Sequence, residues 1–206
     1  MAEAAGTMAT YADLYGIPEN MTGEIIAGEL VVTPRPSGRH ANAAFTLSAE
    51  IGPPFRFGRG GPGGWIILIE PEVRFSERDL LVPDLAGWRK ERFPGWPEEN
   101  WFSTPPGWIC EILSPGTASR DRIHKMRIYA EHGVEWLWLV DPRERTLEVY
   151  ALESGRCVRT SAFAENDRVR AEPFEAIEIE LDHLWIDAGT ELTATQEGEA
   201  GGGPER

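Results

Sequence analysis

The chain has 206 residues, 41% of them hydrophobic and eight of them Trp, enough to bury a sizeable core in one globular domain. Its 34 acidic against 20 basic residues give a formal charge of −14, which argues against a non-specific nucleic-acid coat. No run reaches the ~18 apolar residues of a membrane-spanning helix, and MAEAAGTMATYADLYG lacks the basic-then-apolar order of a secretory signal, so a soluble cytoplasmic protein is expected.

In chain order, residues 1–10 read as a flexible tail. EIIAGELVV (24–32) holds two short β-rich runs around Ala27-Gly28 and predicts a hairpin. Pro34 and Pro36 break the chain, and Ser37 is placed to cap a helix from about Arg39 to Ile51, with Ala44, Phe45, Leu47, Ser48 and Ile51 toward one face. GRGGPGG (58–64) reads as a loop. WIILIEPEVRF (65–75) and LLVPDLAGW (80–88) read as strands, and the Pro- and Trp-rich stretch 89–107 as an excursion. In that region Trp88, Trp96 and Trp101 either pack over the sheet or form a dimer surface.

WICEILSP (108–115) is an apolar run of the kind buried on both faces of a sheet. Thr117 then caps a helix to His132, closed by Gly133. VEWLWLVD (134–141) is a second continuous apolar strand, so 108–141 reads as strand, helix, strand, the pattern of a parallel pair. RTLEVYAL and RCVRTSAF flank Glu153-Ser154-Gly155 as a second hairpin, and IEIEL (177–181) alternates. From Gly189 onward Gly, Glu and Thr dominate, which predicts a disordered tail at 189–206 and a single domain over 11–188.

Three acidic residues stand where structure alone prefers something else. Glu111 lies inside the buried strand, Asp84 follows Pro83 in LLVPDLAG, and Glu29 follows the hairpin glycine. An unpaired carboxylate in the position of Glu111 costs several kcal/mol. A second carboxylate on a neighbouring strand with a divalent cation between them turns the buried charges into ligands, and oxygen donors suit Mg²⁺. The chain uses 18 Arg but only two Lys, Lys90 and Lys125. Lys125 offers the compact, tunable charge that arginine does not. Each residue also has a plain structural alternative: Glu111 paired with a buried Arg, Asp84 in a turn, Lys125 as the i+4 partner of Asp121, Glu29 as a hairpin residue and His40 as a helix-start residue. Four scattered His and two Cys without ligand spacing speak against zinc.

The VPD at 82–84 followed by ICEILSPGTASRDRIHKMRIYAEHGVEWLWLVDP at 109–142 resembles the Uma2 (Uma-two) family of restriction-endonuclease-like proteins, within the PD-(D/E)XK nuclease superfamily. GEIIAGELVVTPRPSGRH and RTLEVYAL match the same family, so the resemblance spans roughly residues 13–187. It implies an α/β restriction-endonuclease-like core: a central mixed β-sheet flanked by helices, with additional β-hairpins. It also implies a metal-dependent endonuclease acting on DNA, with Mg²⁺ as cofactor and Mn²⁺ as substitute. Asp84 becomes the acid of the PD element and Glu111 that of the (D/E)XK element, both as metal ligands, with the backbone carbonyl of Ile112 as a third. The superfamily lysine follows that acid by two positions, where this chain has Leu113; Lys125 is the migrated substitute, and Glu29 matches an additional family acid. A homodimer is expected, because two sites related by a two-fold axis cut both strands most simply. A catalytically silent nuclease-like fold used for binding or assembly, and a hydrolase of RNA, stand as alternatives.

Overall fold

The computed structural model describes residues 8–185, so the tail expected at 189–206 lies outside the described residues, as do residues 1–7. A short α1 (Tyr11–Leu14) precedes the hairpin of β1 (Met21–Ile26) and β2 (Glu29–Pro34). Ala27 (φ 54°) and Gly28 (φ 84°) join the two strands, and consecutive left-handed residues give a turn whose twist suits an antiparallel ribbon. Helix α2 (Gly38–Ile51) begins where expected, with Ser37 Oγ accepting from the His40 backbone N–H at 3.4 Å. The buried face of α2 is His40, Ala43, Leu47 and Ile51, whereas Phe45 is 71% exposed. Leu47 and Ile51 of the expected face are buried and Ala44 packs partly against the same core, whereas Phe45, two positions before Leu47, points to solvent.

Strands β3 (Trp65–Ile69), β4 (Glu72–Arg74), β5 (Leu80–Leu81), β6 (Leu85–Arg89) and β7 (Trp101–Phe102) lead to β8 (Trp108–Ile112). Two long predicted strands are therefore broken. The 65–75 run splits at Glu70 (φ 46°) and Pro71, sending β4 to a different sheet from β3. The 80–88 run splits at Val82-Pro83-Asp84, where proline has no N–H to give a ladder. Trp88 is buried and its indole N–H donates to the Thr104 carbonyl (2.9 Å), while Trp96 is exposed.

After Thr117 the chain forms α3 (Ala118–Arg120), a π-helical turn (Asp121–Lys125) and α4 (Met126–Glu131), with Gly133 at φ 77° after the end. Then come β9 (Trp136–Asp141), β10 (Thr146–Glu153), β11 (Arg156–Ala164), β12 (Arg168–Val169) and β13 (Ile179–Glu180). Ser154 (φ 50°) and Gly155 (φ 75°) close the β10–β11 hairpin. The alternating IEIEL keeps only two of its residues in a strand.

Among the described residues the strands form three sheets: a six-stranded one in the order β11-β10-β9-β8-β6-β3, a five-stranded one in the order β2-β1-β5-β4-β7, and the β12–β13 pair. The six-stranded sheet is mixed, since β8 and β9 are parallel and its other pairs antiparallel. The parallel pair needs a crossover, which the helical segment supplies. Both faces of this sheet are buried. Trp108, Cys110, Trp138 and Val140 share one cluster with Ala43, Leu47 and Ile51 of α2. Ile109, Leu113, Leu137 and Leu139 share the other with Ile128 and Tyr129 of α4. This explains the unbroken apolar reading of β8 and β9.

Gly87, in β6, lies beneath two indoles: a Cβ there comes within 3.1 Å of Trp108 and 3.2 Å of Trp65. Both rings are fully buried. Gly87→Val is expected to destabilise by roughly 1–3 kcal/mol through overpacking, read as a lower denaturant midpoint; an unchanged midpoint contradicts this packing.

Candidate active site

Strand β8 must carry Glu111 on the face of Ile109 and Leu113, because side chains alternate along a strand. Strand β6 runs antiparallel beside it with Leu85 opposite Cys110, so the same register places Asp84, one residue before β6, opposite Glu111. The Asp84 carboxylate is held at both oxygens: Oδ2 accepts from the Ile112 backbone N–H (2.6 Å), and Oδ1 lies 3.1 Å from His40 Nε2. Here His40, on the first turn of α2, is a buried partner of Asp84 and not the surface residue its position suggests.

Lys125 reaches the same place from the π-helical turn. Its ammonium lies 2.8 Å from Glu24 Oε1, 3.2 Å from Glu111 Oε1 and 3.6 Å from Asp121 Oδ1. Lys125 is 5% exposed and Glu111 3%. Tyr129 Oη also donates to Glu111 Oε1, so both protein donors engage one oxygen, and Oε2 takes no hydrogen bond from the described residues. Glu24 in turn accepts from the Val82 backbone N–H at 2.8 Å, tying β1 to the residues just before Asp84.

Burial pushes the Glu111 carboxyl well above the usual carboxylate range; the Lys125 charge opposes this, while Asp121, Asp84 and Glu24 reinforce it. Burial raises Asp121 as well, against the pull of Lys125. For Lys125 burial works against the ammonium, but Glu111, Glu24 and Asp121 outweigh it and hold its pKa well above the ordinary lysine value. His40 follows the same logic: burial disfavours its cation, yet the Asp84 hydrogen bond and charge, with smaller contributions from Glu70 and the Ile112 backbone, leave its pKa raised.

These groups line an open cavity of about 350 Å³ whose wall includes Glu24, His40, Glu70, Asp84, Glu111, Ile112, Asp121 and Lys125. Three expected side chains, Asp84, Glu111 and Lys125, are thus brought together with the Ile112 backbone. Leu113 is buried among Ile128 and Tyr129, so the position a standard nuclease gives to lysine is filled by core. Glu29 is not brought in. It is the first, exposed residue of β2, paired in register with Ile26, and Glu24 on β1 occupies the place beside Lys125. Sequence reading missed Glu24, His40 and Glu70. Glu24 and Glu29 stand in near-identical contexts five residues apart, and local pattern does not say which strand of the hairpin faces inward.

The pattern of the Uma2 family, described as "Putative restriction endonuclease", matches residues 8–183. The chain belongs to the Uma2 family. A crystal structure described as a putative nuclease from Anabaena variabilis shares its fold with a TM-score of 0.65 at 22% identity, covering 85% of this chain and 97% of that one. The search of curated proteins finds no match. Within the Uma2 chain, Asp84, Glu111 and Lys125 share the wall of one cavity.

Glu111→Gln keeps an acceptor for Tyr129 and Lys125 and removes a carboxylate whose ionisation burial opposes. A carboxyl raised on folding loses its contribution as pH climbs from its unfolded value through its folded one. Glu111→Gln is therefore expected to be at least as stable as the parent at neutral pH, by up to roughly 1 kcal/mol, and to lose less stability between acid and neutral pH. Denaturation midpoints across that range test it; a variant that loses more stability with rising pH contradicts it.

Proposed function

We propose that this chain is a divalent-metal-dependent endonuclease that hydrolyses DNA phosphodiester bonds, with Mg²⁺ as its metal and Mn²⁺ as substitute. The observation that carries this reading is the buried convergence of Asp84, Glu111 and Lys125 on one open cavity in a chain of the Uma2 family. The donor set suits such an ion, because Asp84, Glu111 and the Ile112 carbonyl present oxygen alone and Glu111 Oε2 takes no protein donor. No third carboxylate or imidazole completes a compact three-ligand set with the two acids among the described residues, where the one such set is the surface trio Glu180, Asp182 and His183. A hard cation held by two carboxylates and completed by waters and substrate oxygens matches that pairing.

When bound, Mg²⁺ supplies Lewis acidity toward a phosphate oxygen and a more acidic water. His40 and the Ile112 N–H fix the rotamer of Asp84, each from a different oxygen. Tyr129 and Lys125 fix Glu111 through Oε1. Lys125, held on three carboxylates, keeps a positive charge in the cavity wall, where it stabilises negative charge developing on the phosphate without reorganising. Glu24 assists by holding Lys125. DNA as substrate draws its support from the description of the family. With one acidic cavity among the described residues, a homodimer is the simplest assembly for cutting both strands.

Plasmid nicking by the purified chain is expected to require Mg²⁺ or Mn²⁺ and to fall by about 10²–10³ in Asp84→Asn, Glu111→Gln and Lys125→Met. Single-stranded RNA assayed beside duplex DNA tests the substrate. Equal nicking by the parent and all three variants sinks the assignment. A chain that binds Mg²⁺ without cutting either nucleic acid replaces it with a binding module.

A further inference from the structure

Beside the acidic cavity opens a second hollow of about 310 Å³, and the two share Ser37, His40, Ser114 and Pro115 in their walls. They adjoin along that shared wall, and the chemistry changes from one to the other. The inner part is carboxylate-rich. The outer part carries Arg39, from the first turn of α2, and Arg143, from the turn after β9, and no carboxylate lines it. Both arginines are exposed.

Neither is neutralised by an acid, in a chain with 34 acidic and 20 basic residues. Some other exposed arginines pair with carboxylates, Arg168 with Glu178 and Glu180, Arg122 with Glu148 and Arg92 with Glu135, and some donate to backbone carbonyls, as Arg35, Arg78 and Arg170 do. Neither guanidinium of Arg39 or Arg143 has a carboxylate partner among the described residues. Two guanidiniums left unneutralised on the wall of one groove provide planar, bidentate donors for a phosphate.

We propose that the outer groove between Arg39 and Arg143 is a subsite for a backbone phosphate of the nucleic-acid strand, flanking the phosphate that reacts at Asp84 and Glu111. This rests on the nuclease reading above and extends it to how a chain of net charge −14 admits a polyanion. The strand crosses an acidic interior only where a bound cation offsets it, and its next phosphate must leave through the neighbouring wall. That wall is the basic one.

The test is binding of a short mixed-sequence DNA duplex, labelled for fluorescence anisotropy, to the full chain in Ca²⁺, at several salt concentrations. The parent is expected to bind with a negative salt slope. Arg39→Ala with Arg143→Ala is expected to weaken binding about tenfold at low salt and to make the slope shallower by about two, one for each lost phosphate contact. Lysine at both positions keeps the charge and restores the slope. Arg168→Ala, outside the groove, leaves both quantities unchanged. The same affinity and slope in the double alanine variant as in the parent overturns the subsite, as does a parent that binds no DNA. A parent whose salt-dependent binding needs Arg39 and Arg143, yet which cuts nothing in Mg²⁺, keeps the subsite and removes the nuclease reading. Unchanged binding with intact metal-dependent cleavage does the reverse.

Discussion

One buried ammonium holds this site together. Lys125 draws Glu24, Glu111 and Asp121 into contact from β1, β8 and its own helical turn, and burial opposes the ionisation of Glu111 and Asp121. Burying a charge is unfavourable for each partner taken singly, and the arrangement persists because cation and anions are desolvated together. The five-stranded and six-stranded sheets meet through that contact, since β1 belongs to one and β8 to the other. Removing the ammonium leaves three carboxylates without their common partner.

The surrounding fold exists to make that point rigid. Strand β8 is covered on one face by α2 and on the other by α4, so Glu111 has little freedom to find water. Asp84 sits at the start of a strand that proline has interrupted, which frees its side chain from the ladder's regular course and lets Ile112 and His40 grip it instead. The π-helical turn places Asp121 and Lys125 together in the cavity wall. Such turns are uncommon inside helices and often coincide with functional sites. Glu111 and Asp121 are thus held as acids where burial opposes their charge.

Charge is distributed to the same end. Several surface cations sit against carboxylates, while the open cavity lined by acids gives way to a neighbouring hollow walled by Arg39 and Arg143. For a chain of strongly negative net charge, local arrangement matters more than the total, because ions at physiological salt screen distant charges within about 8 Å.

Much of this was legible in the chain itself. Alternation, continuous apolar runs and turn residues located both hairpins, the capped α2, and the strand–helix–strand of β8 and β9, because these depend on neighbours in sequence. A carboxylate inside WICEILSP marked Glu111, and the scarcity of lysine marked Lys125. The tertiary structure alone decided the rest. Whether Glu24 or Glu29 faces inward depends on which strand of the hairpin packs beside Val82. Whether His40 is a surface residue or the partner of Asp84 depends on where α2 crosses the sheet. Long apolar runs at 65–75 and 80–88 look continuous locally, yet they break where the chain changes sheets. Sequence named the residues too costly to bury alone, and only folding over long separations in the chain determined which of them would share that burial.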